Sequence, residues 1–106
     1  MKFILSLLLC LLLPAISQAA EALAGAAVIE KLGLLNGQAL ACRQMDLSSR
    51  AKAALVAHAP KTRETGDAFE AATNRAFLKP AACGDRKRLA MEVDAAIIEL
   101  RLVFPA

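Results

Sequence analysis

The stretch KLGLLNGQALAC, residues 31–42, decides the fold of this chain. Gly33, Gly37 and Ala41 recur at intervals of four, which on an α-helix places them on one line of minimal side chains. The apolar pattern resumes in phase after Asn36-Gly37, and no proline follows to stop it. We therefore predict one helix that ends at Cys42 and carries a small-residue strip for close approach of another helix. The alternative is a turn at Asn36-Gly37, which gives five helices instead of four.

Residues 1–19 have the pattern of a secretory signal peptide. Lys2 precedes an apolar run of signal-peptide length, FILSLLLCLLLPAI, and SQA supplies the small residues of a cleavage site. We expect cleavage after Ala19, which removes Cys10 and leaves residues 20–106 as one helical domain. Contact with a membrane is then expected only through the signal peptide before cleavage. An uncleaved membrane anchor is the alternative.

Capping residues and prolines predict three further helices. Each begins after a side chain that can accept a backbone hydrogen bond and ends before a proline. The predicted N-caps are Asp46 (with Ser48 and Ser49 as alternatives), Thr62 and Asp85, and the terminating prolines are Pro60, Pro80 and Pro105.

Apolar spacing predicts which face of each helix is buried. We expect the first helix to bury one broad face made of two neighbouring lines of apolar and small residues. The third helix is expected to bring its two largest side chains, Phe69 and Phe77, into the core. The lines on the first helix are Leu23, Ala27, Leu34 and Ala41, and beside them Val28, Leu32, Leu35, Ala39 and Cys42; the second helix presents Leu47, Ala51, Ala54 and Leu55, and the fourth Leu89, Val93, Ala96, Ile97, Leu100 and Phe104.

Cys42 and Cys83 are the two cysteines left after removal of the signal peptide. An even number in a compartment that oxidises thiols predicts one intramolecular disulfide, with an intermolecular bond or free thiols as alternatives. Closing a loop of about 40 residues stabilises a domain by about 4 kcal/mol. Because Cys42 ends the first helix and Cys83 precedes the fourth, the bond agrees with an up-down-up-down bundle. The short second helix makes an irregular, partly open packing an equal alternative.

The composition disfavours nucleic-acid binding and catalysis. Cleavage after Ala19 removes one of 13 basic residues, which leaves a small positive excess over ten acidic residues, and the chain has no Trp or Tyr for base stacking. His58 is the only histidine, and we expect it to meet the free carbonyls in the last turn of the second helix. We predict no enzyme activity, no metal and no cofactor. A noncovalent haem site made of His58 with Met45 or Met91 is the alternative.

The segments LGLLNGQALAC (32–42), FEAATNRAFL (69–78) and AACG (81–84) resemble the pattern of small exported proteobacterial two-cysteine proteins of uncharacterised function. In that pattern a Leu- and Gly-rich helix ends in a cysteine, and a helix with Phe and Asn precedes the second cysteine. The resemblance covers most of residues 30–100. It implies export to the periplasm and a helical fold with a disulfide, and it carries no catalytic residues.

Two surface features favour a binding role. Arg86, Lys87 and Arg88 begin the fourth helix, where the helix dipole disfavours cations, which favours a surface role such as contact with an acidic partner or anionic lipid; three solvated cations without a partner are the alternative. The small-residue strip lies beside the apolar lines of the first helix and marks a groove. We predict a non-catalytic interaction or accessory protein whose partner is another periplasmic protein. The alternatives are a chaperone that opens in acid as its carboxylates protonate, and a carrier of haem or another small ligand.

Overall fold

The computed structural model describes the backbone of residues 2–105 and the side chains of residues 19–105. The predicted signal peptide, residues 1–19, therefore lies almost wholly outside the described side chains. The described chain contains four helices and no strand, which confirms the all-α class. The helices are α1 (Lys2–Ala41), α2 (Met45–His58), α3 (Arg63–Leu78) and α4 (Arg86–Val103).

Two of the predicted N-caps are confirmed. The Thr62 hydroxyl accepts a hydrogen bond of 3.2 Å from the backbone N–H of Thr65 and so begins α3. The Asp85 carboxylate accepts one of 3.0 Å from the backbone N–H of Lys87 and begins α4. Each side chain satisfies a donor that the first turn of a helix leaves free.

The predicted N-cap of α2 is wrong, for Asp46 and for both serine alternatives. Gln44 occupies the cap position without a side-chain hydrogen bond, and Asp46 lies in the first turn, where its carboxylate binds Arg86 of α4. The reason is the tight end of α1. Arg43 adopts a left-handed conformation (φ 60°), and the N–H of Gln44 donates to the carbonyl of Ala39 (2.8 Å), which closes a Schellman motif. The chain then enters α2 at once, before a capping side chain can precede it.

The helices alternate in direction, with α1 at the centre. Gly33 faces Phe69 and Gly37 faces Ala76, so α1 and α3 run parallel. Gly25 faces Phe104 and Lys31 pairs with Glu99, so α4 runs antiparallel to α1. α2 runs alongside α4. Within the described residues α3 packs on α1 alone, while α2 and α4 pack on α1 and on each other. The result is the up-down-up-down order in its irregular, partly open form.

The small-residue strip of α1 is covered by α3. A Cβ atom at Gly33 would lie 2.7 Å from the carbonyl oxygen of Phe69, and one at Gly37 would lie 2.8 Å from the Cβ of Ala76. Both glycines are buried, and Ala41, at the last position of the helix, is half-buried. The strip therefore brings two helix backbones close together, as the four-residue spacing predicts.

Asn36 links three helices through hydrogen bonds, at the position where the sequence also allowed a turn that would interrupt α1. It is buried, its Oδ1 accepts a hydrogen bond of 2.6 Å from the Ser48 hydroxyl of α2, and its Nδ2 donates one of 3.1 Å to the Thr73 hydroxyl of α3. Thr73 donates in turn to the carbonyl of Phe69 (2.8 Å). A buried side-chain amide needs such partners, because an unpaired one costs about 1–3 kcal/mol. The helix continues through Asn36-Gly37.

The core confirms most of the predicted faces and corrects two of them. Phe69 is buried, but Phe77 is 50% exposed, because only α1 covers α3 and Phe77 lies beyond the contact. Leu23 and Ala27 are exposed on α1, because this line falls between α3 and α4 and neither helix covers it. The buried apolar residues are Val28, Ile29, Leu32, Ala39, Leu47, Ala51, Ala54, Ala59, Phe69, Ala72, Leu89, Val93, Ala96, Ile97 and Leu100.

Candidate functional site

A groove of about 700 Å³ runs between α3 and α4, because both helices pack on α1 and not on each other. Leu34 and Leu35 of α1 form its floor. Ala76 of α3 and Leu89 of α4 line its two walls. Leu34 is 37% exposed, so a ligand can reach the floor from solvent. The site is thus an open groove with an apolar floor and charged edges, of the volume that binding clefts usually have.

One end of the groove is closed by the segment that connects α3 to α4. The side-chain amide of Gln38 donates to the carbonyl of Ala81 (2.9 Å), and its oxygen accepts from the N–H of Ala81 (3.0 Å). The predicted disulfide between Cys42 and Cys83 is present, with the two Cα atoms 5.5 Å apart. The connecting segment is therefore attached to the end of α1 by two hydrogen bonds and one covalent bond.

Charged side chains border the groove on both sides. On α3, Arg75 forms an ion pair of 2.9 Å with Glu30 of α1, and Lys79 follows one turn later. On α4, Arg88 forms a pair of 3.4 Å with Glu92. All four paired side chains are about half exposed or more, so these pairs contribute little stability. Their cations can turn toward the carboxylate of a ligand at small cost.

The predicted basic surface is divided by the structure. Arg88 lines the groove. Arg86 turns away from it and fixes α4 to the start of α2, where it binds Asp46 and donates to the side-chain oxygen of Gln44 (2.7 Å). Lys87 is exposed and forms no ion pair with the described residues. The three residues therefore do not act as one patch, because successive helical positions point 100° apart.

The glycines of the strip are not part of the groove surface. Gly33 and Gly37 lie beneath α3, and the groove opens on the next line of α1, at Leu34. Sequence reasoning missed Gln38, which closes the groove with Ala81. The available signal was a glutamine on a helix of apolar and small residues, one turn before a cysteine.

His58 lies at the contact between α2 and α4, away from the groove. Its Nε2 faces the Nε of Arg101 at 3.4 Å, so the side chain turns toward α4 rather than toward the carbonyls that end α2. Among the described residues, no three His, Cys, Asp or Glu side chains come close enough to hold a metal ion.

In the part of the chain that the structure describes, no helix has the length and hydropathy that crossing a membrane requires. Comparison of the chain with protein-family models, with curated proteins and with solved structures gives no match.

Proposed function

We propose that this protein is an exported, non-catalytic binding protein whose groove between α3 and α4 receives an apolar segment of another periplasmic protein. The observation that carries the proposal is the open floor of the groove. Leu34 lies between two helices that leave it accessible, and the apolar surface on both walls would be covered by a third element of suitable shape. Exposed apolar surface inside a groove is typical of a site for a partner helix or peptide.

The chemistry of the groove favours an amphipathic segment with acidic flanks. Its floor and walls accept apolar side chains, which on a partner helix recur at i, i+3, i+4 and i+7. Arg75, Lys79 and Arg88 border it against two acidic side chains, Asp85 and Glu92. Cations on both walls can therefore pair with carboxylates that flank the apolar residues of the partner.

Export is supported by the disulfide together with the N-terminal pattern. Disulfides form and persist in oxidising compartments, among them the bacterial periplasm. Cys42 and Cys83 join the two ends of a loop that contains α2 and α3, so the bond stabilises the domain rather than serving a redox cycle between adjacent thiols. The apolar run that precedes residue 20 supplies the export signal.

Site-specific photocrosslinking in exporting bacterial cells tests the proposal. A photoreactive amino acid is placed in the groove at Leu34 or at Arg88, and in matched controls at Leu78, which is exposed on α3 outside the groove, or at Ser49 on α2. We expect one discrete protein adduct from the groove positions and none from the controls. No adduct, or equal adducts from all four positions, would refute a groove-specific partner.

The substitution Leu34→Arg separates binding from folding. It places a charge on the groove floor at a position that is already partly exposed, so we expect loss of the adduct formed at Arg88 with no loss of helical signal. Leu78→Arg is the matched control and should leave the adduct unchanged.

A further inference from the structure

The fourth helix has a second apolar stripe on the side that faces away from the core. Met91, Ala95, Ile98 and Leu102 recur at i, i+4, i+7 and i+11, so they form one line, here named the outer face of α4. The exposed fractions of Met91, Ile98 and Leu102 are 64%, 57% and 76%. A helix on the surface of a globular protein usually turns charged and polar residues to this side. The outer face thus lacks a partner within the described chain.

The charges around the outer face leave a positive excess. Each acidic residue of α4 is already paired with a cation of the same chain, whereas Lys87 and Arg101 form no ion pair with a described acidic residue. The pairs are Glu92 with Arg88 (3.4 Å), Asp94 with Arg50 (2.7 Å) and Glu99 with Lys31 (3.3 Å).

The opposite side of the molecule carries the opposite charge. On α3, which packs on α1 alone, Glu64, Asp67 and Glu70 are exposed and form no ion pair with the described residues, against two unpaired cations at its ends, Arg63 and Lys79. Uncompensated acidic charge therefore lies on the α3 side, and uncompensated basic charge lies beside the outer face of α4.

We propose that the outer face of α4 docks on the surface of an anionic phospholipid bilayer. Met91, Ile98 and Leu102 enter the boundary between headgroups and acyl chains, and Lys87 and Arg101 contact lipid phosphates. An amphipathic helix with apolar residues on one line and cations beside them lies in this plane of a membrane. The acidic side of α3 then points away from the membrane. The inference does not depend on the groove between α3 and α4.

A second copy of the chain fits the outer face less well. The stripe spans four residues over about 17 Å of helix, whereas a stable protein interface uses about 20–30 residues on each side. Face-to-face pairing would also bring Lys87 and Arg101 of one copy near the same cations of the other. A bilayer requires no matching shape, and its anionic headgroups complement the charge.

Single tryptophan substitutions test the proposal, because the chain has no tryptophan of its own. Ile98→Trp places the reporter on the outer face, and Leu78→Trp places it on α3, at a position that is also open to solvent. Each full-length variant is mixed with vesicles of phosphatidylcholine alone or with phosphatidylglycerol added. Circular dichroism and a thiol count confirm that each variant is folded and oxidised.

We expect a blue shift and quenching by brominated lipid for the Ile98→Trp variant, only with vesicles that contain phosphatidylglycerol, and neither for the Leu78→Trp variant. Because each reporter records its own surroundings, an attachment through the N-terminal apolar run leaves this difference intact. Equal signals from both variants, a signal from Leu78→Trp alone, or no signal would overturn the proposal. A blue shift without vesicles that grows with protein concentration would indicate a second copy and would also overturn the proposal. A blue shift with soluble polyglutamate but not with vesicles would indicate an acidic protein as the partner, with the same consequence.

Substitutions that remove one cation or one apolar side chain test the two contributions to binding separately. In the Ile98→Trp background, Lys87→Gln is expected to weaken vesicle binding about fivefold, since one cation near an anionic surface contributes this much. Leu102→Ser is expected to weaken it about tenfold through lost apolar contact. Arg63→Gln, which removes an unpaired cation on the α3 side, is the matched control and should leave vesicle binding unchanged. Affinity for phosphatidylglycerol that is unchanged by Lys87→Gln and Leu102→Ser would contradict the proposed face.

Discussion

Replacing Gly37 by alanine should destabilise the protein, although the same change stabilises most helices. Alanine normally stabilises a helix by about 1 kcal/mol relative to glycine. At Gly37 the new methyl group would meet the carbonyl oxygen of Thr73 and lie 2.8 Å from the Cβ of Ala76. Neither atom can rotate away, so α3 must move, and overpacking of this kind costs about 1–3 kcal/mol. We expect a net loss of up to about 2 kcal/mol in the free energy of unfolding.

Gly66→Ala is the matched control, since a Cβ there meets nothing within 4 Å. It should raise the free energy of unfolding by up to about 1 kcal/mol. Urea unfolding followed by far-UV circular dichroism measures both variants, and melting temperatures should move in opposite directions by about 4–8 °C per kcal/mol. If both variants gain stability, α3 does not pack closely on the strip, and the packing described above is refuted.

Three further substitutions test other parts of the fold, each by its urea midpoint. Replacing Cys42 and Cys83 together by alanine should cost about 4 kcal/mol, because 41 positions separate them; an unchanged midpoint would contradict this. Arg43→Gly should stabilise the protein by about 1 kcal/mol, since glycine adopts the left-handed conformation (φ 60°) freely, and a lower midpoint would contradict it. Asn36→Ala should lower the free energy of unfolding by about 1–2 kcal/mol, because the Ser48 hydroxyl loses its buried acceptor. It should also accelerate hydrogen exchange in both α2 and α3; acceleration in one helix alone would count against the three-helix link.

Local chemistry predicted the boundaries of the helices well. Thr62 and Asp85 are N-caps because a short polar side chain before a helical run has few better partners than the free N–H groups of the first turn. The pairing of Cys42 with Cys83 followed from their number. Asp46 failed as a cap because the turn that ends α1 depends on the left-handed conformation of Arg43, which its residue type does not predict.

The groove was harder to predict than the helices. Periodicity shows that Leu23, Ala27 and Leu34 share one line of α1, but not whether a neighbour covers that line. Their exposure depends on where α3 and α4 lie around α1, which is a property of the assembled helices. Phe77 is exposed for the same reason. A pattern of apolar residues thus predicts which faces of a helix can be buried. The packing of the other helices determines which of these residues stay exposed and available to a partner.

The bond between Cys42 and Cys83 also determines how the molecule carries a pulling force. Since Gly25 lies against Phe104, tension applied to the two ends enters at one side, passes along α1, crosses the sulfur atoms and returns along α4. The 41 positions between the cysteines correspond to about 140 Å of extended chain, and the disulfide prevents this length from being stretched. We therefore expect a pulling force to separate α4 from α1 starting at the C-terminal turn of α4, while the loop between the two cysteines bears no tension.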